Sequence, residues 1–327
     1  MQPDTIYDVC GIGSALVDVL AHADVEFIHR LELRPGATVV DEAHAMRVYE
    51  ALGQTIEVSG GSIANSIVGI ASFGGRGAFL GRRQSDQLGE FFAHDMRAAG
   101  VAIPNEAGLD DLPTGRCIVV ITEGGERTMC TALGGNRRFT RADIVEDVVA
   151  GSAITFCEGY LYDAPMSKAG MRDAMDIAHA NGRRTAMTLS DPFCVDRHRN
   201  DFRALVESHI DVLFANEQEI CSLYEVDDFD TAMQMVNHHC EIAVLTRGAQ
   251  GAVIVSGSEV HVLDAEPISE IIDSTGAGDL YAAGFLFGIT HDYSLAESGR
   301  LGAIAAAEVL SHLGARPEQR LADLLPA

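Results

Sequence analysis

The chain has 327 residues, 47% of them hydrophobic, and a formal net charge of −25. That length and apolar fraction can bury a large core, so the chain reads as globular, one big α/β domain or one with a small appendage. The negative charge excludes a nucleic-acid surface or a face for anionic membrane, because both need a basic stripe.

Ile6 to Ile12 reads as a buried strand ending in Gly11-Ile12-Gly13-Ser14-Ala15-Leu16. This nearly spells the dinucleotide fingerprint, but Leu16 occupies the third glycine position and argues against an NAD-dependent dehydrogenase. Between about 19 and 58 the pattern is mixed, with a strand at Thr38-Val39-Val40 and an amphipathic helix from Glu42 to Leu52. Gly60-Gly61 then opens a helix through Ile63, Ile67, Ile70 and Ala71. The glycine pair lets backbone approach a substrate, and Asn65 either offers a donor and an acceptor to a hydroxyl or makes local bonds. A strand at Ala78-Phe79-Leu80 follows, then a helix with Leu88, Phe91, Phe92, Met96 and Ala99 along one face. Arg82 and Arg83 between them read as a solvated loop pair.

Strand-like runs at Cys117 to Thr122 and Arg127 to Leu133 flank Gly124-Gly125, a hairpin signal. Segments of about 16–58 and 113–135 fit no βα repeat. We assign both to a small β-rich lid on a single domain spanning 1–327, since closure over a phosphoryl donor keeps water out. From about Arg141 the alternation is regular: strands at Ala153 to Cys157, Thr185 to Leu189, Asp211 to Ala215 and Ile242 to Thr246 each follow a helical stretch. That predicts a doubly wound, mostly parallel sheet with helices on both faces and ligands at the rim of strand ends. Ala252 to Ser256 and Glu259 to Leu263 form an edge hairpin, and an alanine-rich helix from Leu301 to Leu313 closes the chain.

Before that helix lies Asp273-Ser274-Thr275-Gly276-Ala277-Gly278-Asp279, joining a short apolar strand, Ile271 and Ile272, to a helix striped by Leu280, Ala283, Gly284, Phe287 and Gly288. The N–H groups of Gly276, Ala277 and Gly278 gather at the positive end of the helix dipole, an anion cradle. Asp279 at its lip is a carboxylate where a bare anion site prefers none. It is either an ordinary first-turn acid or a base that deprotonates a hydroxyl attacking a phosphoryl group held beside it.

Lys168 is the only lysine in the chain and lies in no phosphate-binding or Schiff-base context, which excludes Walker-A, protein-kinase and pyridoxal-phosphate chemistry. The seven cysteines are dispersed and read as free thiols of a reducing, cytoplasmic compartment. Neither a signal peptide nor a membrane span is legible. Asn237-His238-His239-Cys240 reads as a solvated or capping helix end rather than a metal site, and Asp191 as a group behind the rim.

The string DSTGAGD resembles the C-terminal signature of the ribokinase-like, or PfkB, carbohydrate kinases, and Gly60-Gly61-Ser62-Ile63-Ala64-Asn65 through Phe73-Gly74-Gly75 resembles their N-terminal one. The two stand in the family's order about two hundred residues apart, and the resemblance covers nearly the whole chain. The resemblance implies a ribokinase-like α/β fold and an ATP-dependent phosphotransferase using Mg2+. Asp18, Gly60, Gly61 and Asn65 would grip the acceptor. Asn216-Glu217-Gln218-Glu219 is similar to the family's N-x-x-E motif, with Glu219 holding Mg2+ through water; without the family it reads as an acidic helix start. Thr246-Arg247-Gly248-Ala249-Gln250-Gly251 resembles the nucleotide loop, so Asn216, Thr246, Gly248 and Gly251 are assigned to the nucleotide and Gly276, Ala277, Gly278 and Asp279 to catalysis.

Among branches the chain looks most like the adenosine-kinase-like one, implying phosphorylation of the primary hydroxyl of adenosine, with ribokinase- or fructokinase-type sugar phosphorylation as the alternative. Arg83-Gln84-Ser85 departs from the usual small apolar residue and acid, which loosens the assignment of the sugar. A non-catalytic sensor of sugar or nucleotide on the same fold is the rival of another class. The family also implies pairing of two copies through lid strands.

Overall fold

The computed structural model describes residues 5–33, 36–122 and 127–325. Its strands are β1 (Tyr7–Ile12), β2 (Leu16–His22), β3 (Gly36–Val39), β4 (Ile56–Gly60), β5 (Gly77–Leu80), β6 (Gly115–Ile121), β7 (Arg127–Ala132), β8 (Ser152–Glu158), β9 (Arg184–Thr188), β10 (Val212–Asn216), β11 (Ile242–Thr246), β12 (Ala252–Ser256) and β13 (Glu259–Leu263). Its helices are α1 (Val25–Arg30), α2 (Glu42–Ala51), α3 (Ser62–Phe73), α4 (Gln87–Ala98), α5 (Glu146–Ala150), α6 (Pro165–Ala180), α7 (Pro192–Ser208), α8 (Glu217–Tyr224), α9 (Phe229–Val236), α10 (Ala277–Thr290) and α11 (Leu295–Leu310).

Eight strands form one sheet in the order β13-β12-β11-β10-β9-β8-β1-β5. All neighbours are parallel from β5 to β11, and the last two strands run antiparallel as the expected edge hairpin. Alternate residues feed opposite faces, as period two requires. Val9, Phe156, Phe214 and Val244 pack under α3, α4, α10 and α11. Ile12, Cys157, Leu213 and Leu245 pack under α5 to α9. This is the doubly wound, mostly parallel sheet with helices on both faces that the regular second half anticipated.

The smaller sheet has the order β3-β7-β6-β2-β4. One face, with Val19, Ile118, Val120 and Cys130, packs on Phe27 and Ile28 of α1 and on Ala45 and Val48 of α2. Thr38-Val39-Val40 is found as β3, shifted to begin at Gly36. Gly124-Gly125 lies outside the described residues; β6 and β7 on either side pair antiparallel, with Ile121 opposite Arg127.

Four expectations need correction. Ile271 and Ile272 form no strand: they are exposed, and the Ile272 amide donates to Leu310 O at 2.9 Å, so the segment has no sheet neighbour. The α10 stripe is no stripe, because Tyr281, Ala282, Phe285 and Leu286 are buried as well; the helix lies inside the protein. The last helix starts earlier, where Ser294 and Glu297 form a capping box, and stops at Leu310. Arg82 and Arg83 are not a solvated pair: Arg82 bridges Asp110 and Asp143, and buried Arg83 donates to Asn105 O.

Candidate active site

Strands β8, β10 and β11 end at Glu158, Asn216 and Thr246 on one rim, and the strand order turns back at β1 beside β8. That rim is where an open α/β sheet leaves a crevice. A cavity of about 230 Å³ opens there, bordered by Asn216, Glu219, Thr246, Gly276, Gly278 and Asp279. A wider groove beside Val206–Asp211 and Asn237–Glu241 lies at the opposite, N-terminal ends of the strands.

Asp279 sits in the first turn of α10. Its Oδ1 accepts from Ser62 Oγ at 2.6 Å and its Oδ2 from Asn65 Nδ2 at 3.0 Å. Burial raises its pKa, and the Ser62 and Asn65 bonds oppose that shift. The carboxylate is held from both sides with capacity left on each oxygen. Gly276 caps the helix at φ 82, and a Cβ on it would stand 2.7 Å from Ala315 Cα. Gly278 differs: a Cβ there would meet nothing within 4 Å, so this is where the cradle faces open space. The Ala277 amide is less available than expected, since it points back to Ser274 O at 3.4 Å.

Asp18 lies in β2, on the face of the smaller sheet turned to the crevice, opposite Cys117 of β6. It keeps some surface open, yet the protein around it strips enough water to push its pKa to about 7, with Arg316 and Arg127 pulling it down and Asp279 pushing it up. Gly60 is what makes room, because a Cβ there would stand 2.2 Å from Asp18 Oδ2. Gly61, at φ 97, passes so close to Ser14 that a Cβ would meet its carbonyl oxygen at 2.4 Å. Asn65 is buried and already spoken for at both ends: besides donating to Asp279, its Oδ1 accepts from Arg316 Nε at 3.3 Å. Each end keeps one further hydrogen or lone pair, so the amide can still meet an acceptor hydroxyl.

Across the cavity, Asn216 and Glu219 form a capping box on α8. Glu219 Oε2 accepts from Asn216 N at 2.9 Å and Oε1 from Asn216 Nδ2 at 2.6 Å. Burial lifts the Glu219 carboxyl to about 7, partly countered by the Asn216 amide. Each oxygen retains a lone-pair direction, so the group fits a Mg2+ ion held through its waters. Thr246 borders the cavity, whereas Gly248 and Gly251 lie in the turn beyond β11 and are not among its walls. Gly251 is demanded by the fold, since a Cβ would collide with Leu263 O at 1.9 Å.

The pfkB family carbohydrate kinase model matches residues 38–320. The chain belongs to the PfkB family of carbohydrate kinases. It is 44% identical to the crystal structure of adenosine kinase from Sinorhizobium meliloti, covering 97% of this chain and 98% of that one with a TM-score of 0.92. It is 40% identical to a probable sugar kinase protein from Rhizobium etli CFN 42, covering 98% of each chain with a TM-score of 0.92. It is 26% identical to the adenosine kinase of Saccharomyces cerevisiae over 93% of this chain and 94% of that one.

Membership makes this chain a kinase, and a nucleotide phosphoryl donor follows from it. Four site residues of this PfkB kinase escaped the sequence reading. Ser62 stood inside the glycine signature. Glu158 ends β8, where a lone acid after an apolar strand could have signalled it; its Oε1 accepts from Ser14 N at 2.9 Å and its Oε2 from Ile63 N at 3.3 Å, and burial lifts it to about 7. Arg127 opens β7, and Arg316 follows α11, with no local signal for either.

The crevice face of the lid also has an apolar part. Strand alternation puts Leu20, Val119 and Met129 on the side that carries Asp18 and Arg127, and there they cluster with Cys117 and Ile121. A second cluster, Asp163, Cys194 and His198, has ligand atoms within 4.8 Å of one another. Its carboxylate is already forked by Arg197 (3.0 and 2.8 Å) and met by His198 at 2.8 Å, so it staples α7 to the turn between β8 and α6. Among the described residues, no helix is long and apolar enough to cross a membrane.

Proposed function

We propose that this kinase is an ATP- and Mg2+-dependent adenosine kinase that phosphorylates the primary hydroxyl of the nucleoside. The observation that carries the reading is the double anchoring of Asp279 by Ser62 and Asn65 at the edge of the cavity walled by Asn216, Glu219 and Thr246, with Asp18 of the lid near enough to couple to it. Asp279 accepts the proton of the acceptor hydroxyl, and the amides around Gly276 to Gly278 stabilise charge on the transferring group. Asp18, with Gly60 and Gly61 leaving it room, accepts hydrogen bonds from two neighbouring ribose hydroxyls. Magnesium, when bound near Glu219, supplies neutralisation of the triphosphate. Asn216 and Thr246 line the nucleotide side, with the turn at Gly248 and Gly251 bounding it.

Support for a nucleoside over a free sugar comes from the apolar Leu20, Val119 and Met129 beside Asp18, since a planar base needs such a surface and a hydroxyl-covered sugar does not. The adenosine-kinase relatives support it too. A free sugar as acceptor is the competing reading, favoured by the Rhizobium relative. The purified chain with ATP and Mg2+ is assayed against adenosine, guanosine, ribose and fructose. Adenosine should give the highest kcat/KM by at least about 100-fold, the scale set by lost base contacts. A preference for ribose or fructose would replace the nucleoside by a sugar, and no turnover with any of them would favour a sensor. Asp279→Asn should lower kcat by roughly 1000-fold or more with nucleotide binding retained. A copy pairing through lid strands and a cytoplasmic setting complete the proposal.

A further inference from the structure

Arg316 belongs to the segment after α11, and that segment is pinned on both sides of it. The Gly314 amide donates to Asp273 Oδ2 at 2.8 Å, and Ala315 lies under Gly276. The amides of Glu318 and Gln319 donate to Glu308 Oε1 at 2.9 and 2.8 Å. From this fixed base the Arg316 side chain, 13% exposed, runs inward. Its Nη1 lies 3.5 Å from Asp95 Oδ2, its Nη2 3.1 Å from Met96 Sδ, and its Nε donates to Asn65 Oδ1 at 3.3 Å. Asn65 in turn donates from Nδ2 to Asp279 Oδ2 at 3.0 Å.

A guanidinium has donors and no acceptor. Against Asn65 it therefore tolerates one amide orientation, with Oδ1 toward Arg316 and Nδ2 toward Asp279. The flipped amide would set N–H against guanidinium and carbonyl oxygen against carboxylate, exchanging two hydrogen bonds for two repulsions. Burial pulls the Arg316 pKa down to about 10, which leaves the group charged at neutral pH. Ser62 by itself holds only one oxygen of Asp279.

We propose that Arg316 is a positioning residue for phosphoryl transfer, holding Asn65 in the orientation that aims the Asp279 carboxylate at the acceptor hydroxyl. This rests on Asp279 as the base. Arg316 is hydrogen-bonded to Asp279 through Asn65 alone, with a separate pull on Asp18, so its hold on the Asp279 carboxylate vanishes when Asn65 is gone.

The test is a double-mutant cycle on kcat and KM for Arg316→Met, Asn65→Ala and the pair, with Asp279→Asn alongside. Arg316→Met lowers kcat about 10- to 100-fold, the size that a misplaced reacting group commands, and leaves KM for ATP within about 2-fold. In the Asn65→Ala background the same change lowers kcat less than about 3-fold. An equal loss in both backgrounds overturns the proposal, as does an unchanged kcat for Arg316→Met. If Arg316→Met does not fold, Arg316→Gln takes its place: glutamine offers an acceptor as well as donors and frees the amide without emptying the space. A live Asp279→Asn removes the base and this inference with it, whereas a dead Asp279→Asn with an additive cycle removes the Arg316 role alone.

Discussion

Arg127 Nη2 of the lid lies 2.7 Å from Oδ2 of Asp273, a buried acid that opens the loop before α10, 146 residues further on. Arg127 Nη1 also donates to Thr275 Oγ1 at 3.0 Å, while Asp273 Oδ1 takes the Thr275 amide and Oδ2 the Gly314 amide. The acid thus ties the lid, the loop and the C-terminal segment together. Removing its cation leaves a buried carboxylate short of its partner. Arg127→Met should destabilise the fold by about 2–4 kcal/mol, somewhat below a fully buried pair because the arginine keeps some solvent contact. Urea unfolding checks this, and a change under about 0.5 kcal/mol, the range of an exposed pair, would show that solvent already screens the contact.

Two helices in the core meet at backbone distance. A Cβ on Gly284 of α10 would stand 2.4 Å from Leu301 O of α11. Alanine is the better helix former by about 1 kcal/mol, but overpacking a tight contact costs about 1–3 kcal/mol or more. Backbone cannot rotate away as a side chain can, so packing wins. Gly284→Ala should lower stability, measured as a drop in Tm; a rise would mean that α10 and α11 separate cheaply.

The raised pKa of Asp18 gives catalysis a pH dependence. At about 7 the group is half protonated in the free enzyme, and its neutral form loses an acceptor that the proposed grip on the ribose hydroxyls needs. kcat/KM for the nucleoside should therefore rise with pH through about 7, whereas kcat measured at saturation should depend on it less. Asp18 and Asp279 face each other electrostatically, so the limb belongs to the pair. In Asp18→Asn the limb should retreat to lower pH while KM rises; an unchanged limb would assign it to another group.

Stability should run the other way with pH. Asp18, Glu158 and Glu219 each sit near 7 in the fold, above an ordinary carboxylate. Between about 4 and 7 the folded state then binds more protons than the unfolded one, so stability falls as pH rises through that window. Their favourable contribution is complete below about 4 and lost above 7. Unfolding free energy measured across this range should decline, and Glu158→Gln should flatten the decline. A slope unaffected by Glu158→Gln would remove that residue from the balance.

What the sequence by itself determined is whatever short stretches of backbone encode. The βα alternation after Arg141, the glycine signatures and the Asn216-to-Glu219 box are local, because turns, caps and hydrophobic periodicity act within a few residues. The same local logic led to a strand at Ile271-Ile272, where no neighbour exists to pair with it, and to an amphipathic α10, which packing buries all round. Only the tertiary structure decided who faces Asp279. Ser62 and Asn65 come from 217 and 214 residues away, and Arg316 acts from 251 residues beyond Asn65. Such contacts follow from how α3, the lid and the segment after α11 are brought together by burial, and no run of neighbouring residues carries that information.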